Sequence, residues 1–241
     1  MSDKVALVIG AGDATGGAIA RRFAREGYIA VGTRRTADAL EPLVKQIEAE
    51  GGRAVGMGSD ARDESQVEAL FERIESEIAP VEVLVFNIGA NVFFPITETT
   101  ARVYRKVWEM AAFAGFLTGR EAARRMVPRG QGTIIFTGAT ASMRGGSGFS
   151  AFSGAKFALR ALAQSMAREL GPQGIHVAHT IIDGAIDTEW IKQNFPDRYA
   201  LKDQDGILNP DAIAEAYWQL HVQPRSAWTH ELDLRPWMEK F

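Results

Sequence analysis

Short apolar runs alternate with amphipathic stretches along most of the chain. Val5–Ile9 is apolar throughout and predicts a buried strand. Residues 17–26 then place apolar side chains at helical spacing, which predicts a helix that ends at Gly27. Further strands are predicted where short apolar runs recur, at residues 29–33, 54–57, 83–86, 133–136, 177–182 and 227–234.

Stretches of helical period separate these predicted strands. Further helices are predicted at residues 40–47, 63–78, 100–126 and 150–170, with Asp63 as the N-cap of the second. Strands that are apolar throughout need cover on both faces, and strands that alternate with helices form parallel sheets. The pattern therefore predicts an α/β, doubly wound Rossmann fold whose sheet has about seven mostly parallel strands. No repeat or linker interrupts it, so residues 1–241 are expected to form one domain.

The charge balance narrows the range of partners. The 241 residues include 27 basic and 30 acidic side chains, for a net charge of −3, and no block of like charge stands out. We therefore expect neither a nucleic-acid nor a membrane partner. No apolar run approaches the roughly 18 residues that a membrane-spanning helix needs. The chain runs from Met1 into a strand without a signal peptide, so a cytoplasmic location is expected.

The metal-binding residue types are scarce. Cysteine is absent, which excludes disulfides, thiolate chemistry and cysteine metal sites. Of the four histidines, His176 and His179 fall on one predicted strand, and we expect them on one face of the sheet as a structural pair. No third ligand lies near them in the sequence, so no metal site is predicted.

A glycine-rich turn joins the first predicted strand to the first predicted helix. Missing side chains let the backbone of such a turn approach a pyrophosphate, and the helix N-terminus supplies free N–H donors and the positive end of its dipole. The placement predicts a dinucleotide-binding domain, with a site that has lost its ligand as the alternative. The candidate binding residues are Gly10, Gly12, Asp13, Ala14, Thr15 and Gly16.

The residues after the second predicted strand bear on the choice of cofactor. An acidic side chain there would bind the ribose 2′-hydroxyl of NAD(H), but this chain has Arg34 and Arg35. Guanidinium groups suit a 2′-phosphate, so NADP(H) is favoured over NAD(H). The alternative is a pair of solvated arginines that open a loop. Asp13 opposes the preference, because its carboxylate would repel a phosphate.

Several short motifs, in order along the chain, resemble those of the short-chain dehydrogenase/reductase family. The glycine turn resembles that family's Thr-Gly-x-x-x-Gly-x-Gly, with Ala14 at the middle glycine. Asp60-Ala61 resembles the Asp-Val that contacts adenine, and Asn87-Ile88-Gly89 resembles the family's Asn-Asn-Ala-Gly. The resemblance implies the Rossmann fold and a nicotinamide cofactor.

A further motif of this kind follows the sixth predicted strand. Residues 183–188 resemble the family's Pro-Gly-x-x-x-Thr, which frames the nicotinamide, although Asp183 stands at the proline. The resemblance adds Gly184, Ile186 and Thr188 to the candidate cofactor-binding residues. The stretch at 187–208 resembles the family's substrate lid.

The family's four catalytic residues are mostly replaced. Its members use Asn, Ser, Tyr and Lys, and the tyrosine exchanges a proton with the carbonyl or alcohol oxygen. Lys156 matches the lysine, which also holds the ribose, whereas Phe152, Ala139 and Ala112 fall at the tyrosine, serine and asparagine. The losses of the tyrosine and the asparagine do not depend on how the chain is aligned with the family's motifs. The chain has no tyrosine at residues 105–198 and no asparagine at residues 92–193.

Three functions are compatible with these replacements. The first is an NAD(P)(H)-dependent oxidoreductase with weak or atypical redox activity on a carbonyl or alcohol. The second is a non-catalytic NADP(H)-binding regulator, sensor or silent subunit, and the third is non-redox lyase or isomerase chemistry. In an active enzyme, the substitute for the missing acid would be a water held by Lys156 or one of four side chains: Thr140, Ser142, Ser153 or Tyr199.

The positions of aromatic residues indicate what kind of ligand the protein binds and where its subunits would meet. Some follow the fourth predicted strand, where open sheets bind ligands, and others lie in the lid, so an apolar small-molecule pocket is expected. These are Phe93, Phe94, Trp190 and Phe195, together with Ile191. The resemblance implies a homodimer or homotetramer, in which Trp237 and Phe241 would anchor the interface.

Overall fold

A computed structural model describes residues 3–240 of the chain. These residues form one sheet of seven strands in the order β3-β2-β1-β4-β5-β6-β7. Every neighbouring pair is parallel. The strands are β1 Val5–Ile9, β2 Ile29–Arg34, β3 Arg53–Gly58, β4 Val81–Phe86, β5 Gly132–Thr137, β6 Ile175–Ile182 and β7 Glu231–Leu234.

Helices connect successive strands. A π-helical segment, Glu109–Phe113, joins α4 to α5, so the long helical stretch predicted at 100–126 is present in three parts. The α-helices are α1 Thr15–Arg25, α2 Glu41–Ala49, α3 Glu64–Glu77, α4 Ala101–Trp108, α5 Ala114–Met126, α6 Ser150–Leu170, α7 Glu189–Asn194, α8 Pro196–Tyr199 and α9 Pro210–His221.

The sheet separates two hydrophobic cores. Side chains of β1 alternate between them: Leu7 packs on the side of α3, α5 and α6, and Val8 packs on the side of α1, α2 and α9. This alternation follows from the pleat, which points successive side chains to opposite faces. All five residues of β1 are buried, so both faces are covered and the predicted doubly wound fold is confirmed.

Local sequence features account for the N-termini of α2 and α3. The Asp63 carboxylate accepts hydrogen bonds from the backbone N–H groups of Ser65 and Gln66, which caps α3 as predicted. Pro42 lies in the first turn of α2, where the missing N–H has no helical partner to lose.

The strand order places the carboxyl ends of β1, β2 and β4 together. The Gly10 N–H donates to Thr33 O at 3.1 Å, and the Asn87 N–H donates to Ile9 O at 2.8 Å. Strands β2 and β3 lie on one side of β1, and β4 to β7 lie on the other, so the strand order reverses between β1 and β4. Open α/β sheets bind ligands at such a point, outside the carboxyl ends of the strands.

The seventh strand is shorter than predicted. The prediction began it at residue 227, whereas β7 begins at Glu231. The Gln223 side chain accounts for the difference, because its oxygen accepts from the Thr229 N–H at 2.7 Å and its nitrogen donates to Thr229 Oγ1 at 2.9 Å. The first of these bonds gives the Thr229 N–H a partner outside the sheet, so this part of the chain does not join the strand. Residues 225–227 form a 3-10 turn.

The prediction that His176 and His179 share a face of the sheet is wrong. An odd spacing along a strand points two side chains to opposite faces. His176 stacks on Trp228, and His179 lies 3.6 Å from the Glu231 carboxylate. Within residues 3–240, no group of three His, Cys, Asp or Glu side chains is placed to hold a metal ion. No helix in the same range is long and apolar enough to cross a membrane.

Candidate functional site

A cavity of about 770 Å³ lies at the carboxyl edge of the sheet. Its wall is formed by the glycine turn, the loops after β4, β5 and β6, the first turns of α6, and helices α7 and α8. The volume is within the range of roughly 300–1,000 Å³ that is usual for small-molecule sites. Most of the predicted site residues therefore share one cavity.

The glycine turn needs glycine for two different reasons. Gly10 has a φ of 88°, in the left-handed region that residues with a side chain rarely adopt. At Gly16, a Cβ atom would lie 2.3 Å from the Gly10 carbonyl oxygen, so a side chain there would clash with the backbone. The turn is further held by Asn87, whose side-chain nitrogen donates to Gly10 O at 3.2 Å.

The first turn of α1 fits a phosphate. Its N-cap residue is Ala14, and no side chain accepts from the N–H groups there. No atom lies within 4 Å of the position of a Cβ at Gly12, so the turn is open on its outer side. Free N–H donors at the positive end of a helix dipole bind anionic groups. The residues present thus fit the pyrophosphate of a dinucleotide.

The residues after β2 and β3 do not line the cavity itself. Arg34 Nη1 lies 3.5 Å from the Asp13 carboxylate, so the residue that opposes a 2′-phosphate is already paired with a guanidinium group. Arg35 is exposed. Hydrogen bonds from Arg62 hold the pKa of Asp60 below its usual value, and the nearby charge of Arg35 lowers it further. Ala61 is buried beside Asp60.

Lys156 is the most deeply buried cation of the cavity wall. Its side chain projects from the second turn of α6, and Nζ donates to Thr137 O at 2.8 Å and to Ile88 O at 3.3 Å. The residue is 2% exposed, and burial lowers its pKa to about 8, because desolvation disfavours the ammonium form. Nζ also lies 5.9 Å from the centre of the Phe152 ring.

The predicted replacements divide into two groups. Phe152 and Ala139 line the cavity beside Lys156, together with Thr140 and Ser153. Ala112 is buried in the π-helical segment and does not line the cavity.

Two of the predicted substitute donors are not placed in the wall. Ser142 is fully buried, and its hydroxyl accepts from the Ala139 N–H at 3.1 Å. Tyr199 lies in α8 outside the lining residues, and its hydroxyl accepts from Lys202 at 3.5 Å. Of the four candidates, Thr140 and Ser153 are lining residues, but the Ser153 hydroxyl oxygen is itself buried and has no hydrogen-bond partner among the described residues.

The segment at 187–208, which resembles the family's substrate lid, contributes residues to the cavity wall. Thr188 caps α7 by accepting from the Ile191 N–H at 3.1 Å, and Ile186 pairs with Leu208 in a single β-bridge. The first contact lies within the segment at 187–208, and the second brings the two ends of that segment together. Apolar lining residues of the cavity include Phe149, Phe152, Trp190, Ile191 and Phe195.

The expected aromatic residues after β4 contribute only indirectly. Phe93 and Phe94 do not line the cavity. Phe93 instead packs edge-on against Phe149, with ring centres 5.3 Å apart, and thereby supports a residue that does.

One acidic residue was overlooked as a functional candidate. Asp183 is 7% exposed and lines the cavity directly after β6. The Thr140 hydroxyl donates to its carboxylate, and Arg235 Nη1 lies 3.4 Å from its other oxygen. A carboxylate directly after a buried strand was a signal in the sequence, but the family motif has proline at this position, so the resemblance implied no role for Asp183.

The fold and this cavity define a Rossmann-type oxidoreductase. The sequence matches the short chain dehydrogenase family over residues 4–198. The chain therefore belongs to the short-chain dehydrogenase/reductase family, whose fold binds a nicotinamide cofactor.

Individual relatives show the same membership. A crystal structure of a short-chain dehydrogenase from Rhodopseudomonas palustris is 53% identical, with a TM-score of 0.84 over 97% of this chain and 99% of that chain. L-rhamnose 1-dehydrogenase (NAD(P)(+)) of Azotobacter vinelandii is 32% identical over 81% of this chain and 78% of its own length. Glycine betaine reductase of Emericella nidulans is 28% identical over 98% of this chain, which spans only 19% of that protein.

The burial of Lys156 predicts a pH-dependent stability. In the unfolded chain, a lysine titrates near 10.4, whereas in the fold its pKa is about 8. Between these values the unfolded chain binds more protons, so the free energy of unfolding should rise with pH, by on the order of 3 kcal/mol at most. A Lys156→Met variant should lack this rise.

Urea unfolding at a series of pH values would measure the difference between wild type and variant. Lys45→Met serves as the control, because the Lys45 side chain is exposed and paired with Glu41. If wild type and Lys156→Met keep a constant difference across this window, Lys156 is not desolvated in the folded protein.

Proposed function

We propose that the protein is an NADP(H)-dependent oxidoreductase of a carbonyl or alcohol, with weak or atypical redox activity. The observation that carries this proposal is that the glycine turn, the buried Lys156 and Phe152 line one cavity. The turn and the lysine are what cofactor binding requires. The phenyl ring, in contrast, removes the usual proton donor without emptying its space.

The cofactor would extend along the carboxyl edge of the sheet. Gly10, Gly12, Ala14, Thr15 and Gly16 would hold the pyrophosphate, and Arg34 and Arg35 would bind the 2′-phosphate. The remaining contacts follow from the family resemblance: Asp60 and Ala61 at the adenine, Lys156 at the ribose, Gly184, Ile186 and Thr188 at the nicotinamide, and Asn87 and Gly89 as further cofactor contacts in the loop after β4. When bound, the nicotinamide supplies or accepts a hydride. The Asp13 carboxylate opposes the 2′-phosphate less than an unpaired carboxylate would, because Arg34 Nη1 lies 3.5 Å from it and offsets part of its charge.

The replaced residues are expected to slow the reaction. A general acid contributes typically 10²–10⁴-fold, and loss of an oxyanion donor costs on the order of 10²–10³-fold. Phe152 and Ala139 remove one group of each kind. These factors do not simply multiply, but ordinary ketone reduction should be slow.

A second function is favoured by the same residues. A non-catalytic NADP(H)-binding regulator, sensor or silent subunit needs the turn and Lys156 but no proton donor. Non-redox lyase or isomerase chemistry has less support, because the cavity keeps every segment that the cofactor would use. Cofactor binding is common to the first two functions, and turnover separates them.

The cofactor preference predicts the outcome of a binding titration. NADPH should bind with micromolar affinity and more tightly than NADH, as followed by fluorescence of the bound nicotinamide. An Arg34→Gln, Arg35→Gln double variant should weaken NADPH by about tenfold or more and leave NADH nearly unchanged. Lys156→Ala should weaken both nucleotides. Failure of the wild type to bind either nucleotide would exclude both the reductase and the sensor.

The loss of the acid predicts a gain of function. A Phe152→Tyr, Ala139→Ser double variant should reduce an activated carbonyl such as 9,10-phenanthrenequinone at least about 100-fold faster than wild type, with unchanged NADPH affinity. Phe157→Tyr is the matched control, because Phe157 is exposed on the same helix. A wild type without detectable turnover supports the non-catalytic function. No gain in the double variant would contradict a redox site with a missing acid.

We also propose that the protein is a homo-oligomer assembled through α4, α5 and α6. Trp108, Phe113 and Phe116 form a stacked aromatic row with ring centres 5.7 and 6.1 Å apart, and Trp108 and Phe116 are exposed. Exposed apolar patches mark interaction surfaces. Phe241, an expected anchor, lies outside the described residues, and Trp237 is 74% exposed.

The assembly can be tested by sedimentation equilibrium. A Trp108→Glu, Phe116→Glu variant should shift the mass to that of a monomer, because two buried charges would disrupt an apolar interface. Trp237→Glu is a control for the C-terminal end, and a monomer with that variant alone would place the interface there. A monomeric wild type would contradict the assembly.

A further inference from the structure

A buried carboxylate lines the same cavity as Phe152. Asp183 directly follows β6 and is 7% exposed. Its backbone N–H donates to Leu234 O at 2.8 Å, which fixes the position of the residue at the sheet edge. Burial of a carboxylate is costly unless the group is paired. Here the partners are the Thr140 hydroxyl and Arg235.

The direction of the Thr140 hydrogen bond matters for chemistry. Thr140 lines the cavity and gives its proton to the Asp183 carboxylate. A hydroxyl that donates to one partner keeps two lone pairs free to accept from another. The Thr140 oxygen is therefore set to accept the O–H proton of an alcohol. Lys156 is less suited to this role, because its ammonium group already donates to the Thr137 and Ile88 carbonyls.

We propose that Thr140 and Asp183 are the proton-transfer pair of this site, for a secondary alcohol with an apolar body and its ketone. Thr140 is the catalytic residue that contacts the substrate oxygen, and Asp183 holds the proton. The pair replaces the phenol that Phe152 lacks. This inference rests on the proposed function, because it requires the nicotinamide to lie at Gly184, Ile186 and Thr188 in the same cavity.

The proton and electrons balance in alcohol oxidation. The substrate O–H bond breaks as its proton passes to the Thr140 oxygen, while the Thr140 proton passes to the Asp183 carboxylate. The carbinol carbon gives up its hydrogen with both bonding electrons to the oxidised nicotinamide, and the alcohol becomes a ketone. Asp183 then releases the proton to solvent. Ketone reduction follows the same path in reverse.

The apolar lining indicates the substrate body. Phe149, Trp190, Ile191 and Phe195 line the same cavity as Phe152. They offer little to a polyol, whose hydroxyls would lose hydrogen bonds to water on entry. An aromatic secondary alcohol such as 1-phenylethanol matches the apolar character of this lining.

The position of the carboxylate can be tested by binding alone. The oxidised nicotinamide carries a positive charge that the reduced ring lacks, and both cofactors carry the same phosphates. A carboxylate beside the ring should therefore favour NADP⁺ over NADPH. In Asp183→Asn, the ratio of the two dissociation constants should shift toward NADPH on the order of tenfold. NADPH is titrated by fluorescence, and NADP⁺ by competition with it.

A matched control separates this effect from a structural one. Asp233→Asn removes an exposed carboxylate that also pairs with Arg235 but does not line the cavity. It should leave the ratio unchanged. Thermal melting of both variants would show whether either is unfolded. An equal ratio in wild type, Asp183→Asn and Asp233→Asn would overturn the inference, whereas absence of all nucleotide binding in wild type would overturn the proposed function as well.

The proton step itself is tested at Thr140. With 1-phenylethanol and NADP⁺, Thr140→Val should lower kcat about 100-fold or more, and Thr140→Ser should restore most of it. Neither change should affect NADPH affinity. Equal rates in wild type and Thr140→Val, including the case in which neither turns over, would overturn the proton relay while leaving the cofactor site in place.

Discussion

The approach of Gly16 to the Gly10 carbonyl is the contact on which the rest of the site depends. A Cβ at Gly16 would lie 2.3 Å from that oxygen, so α1 can start where it does only because the residue has no side chain. The contact brings the N-terminus of α1 to the ends of β1 and β4. It thereby positions the N–H donors at the start of α1, which no side chain caps, and one wall of the cavity. Asn87, which donates to the same carbonyl, connects this turn to the loop after β4.

The other polar groups of the site follow from how a buried parallel sheet ends. Strands covered on both faces are apolar along their length, and polar groups are placed where each strand leaves the core. Asn87 follows β4, Thr137 ends β5 and Asp183 follows β6. Lys156 reaches two of these loops from α6. The cavity is therefore a convergence of strand ends, and its chemistry depends on which residue stands at each.

The sequence predicted what depends on local periodicity. Buried strands, the glycine turn and the Asp63 cap are all encoded within a few residues, and the structure has them at or near the predicted positions. Contacts between distant segments were not predictable in this way. Thr140 and Asp183 are 43 residues apart, and their pairing requires β5 and β6 to be neighbours. The early start predicted for β7 failed similarly, because the Gln223 side chain competes with the sheet for Thr229.

Phe152 lines the cavity with a ring that cannot hold a proton, so any proton there must be held by other groups. Among its described lining residues, the buried ionisable side chains are Lys156 and Asp183. Burial lowers the pKa of Lys156 to about 8, and its protons are directed at two backbone carbonyls. Asp183 instead faces a hydroxyl that lines the cavity. A redox reaction in this cavity needs a proton acceptor next to the substrate oxygen. The choice between a working oxidoreductase and a cofactor-binding protein therefore depends on whether this carboxylate and hydroxyl exchange a proton with a ligand.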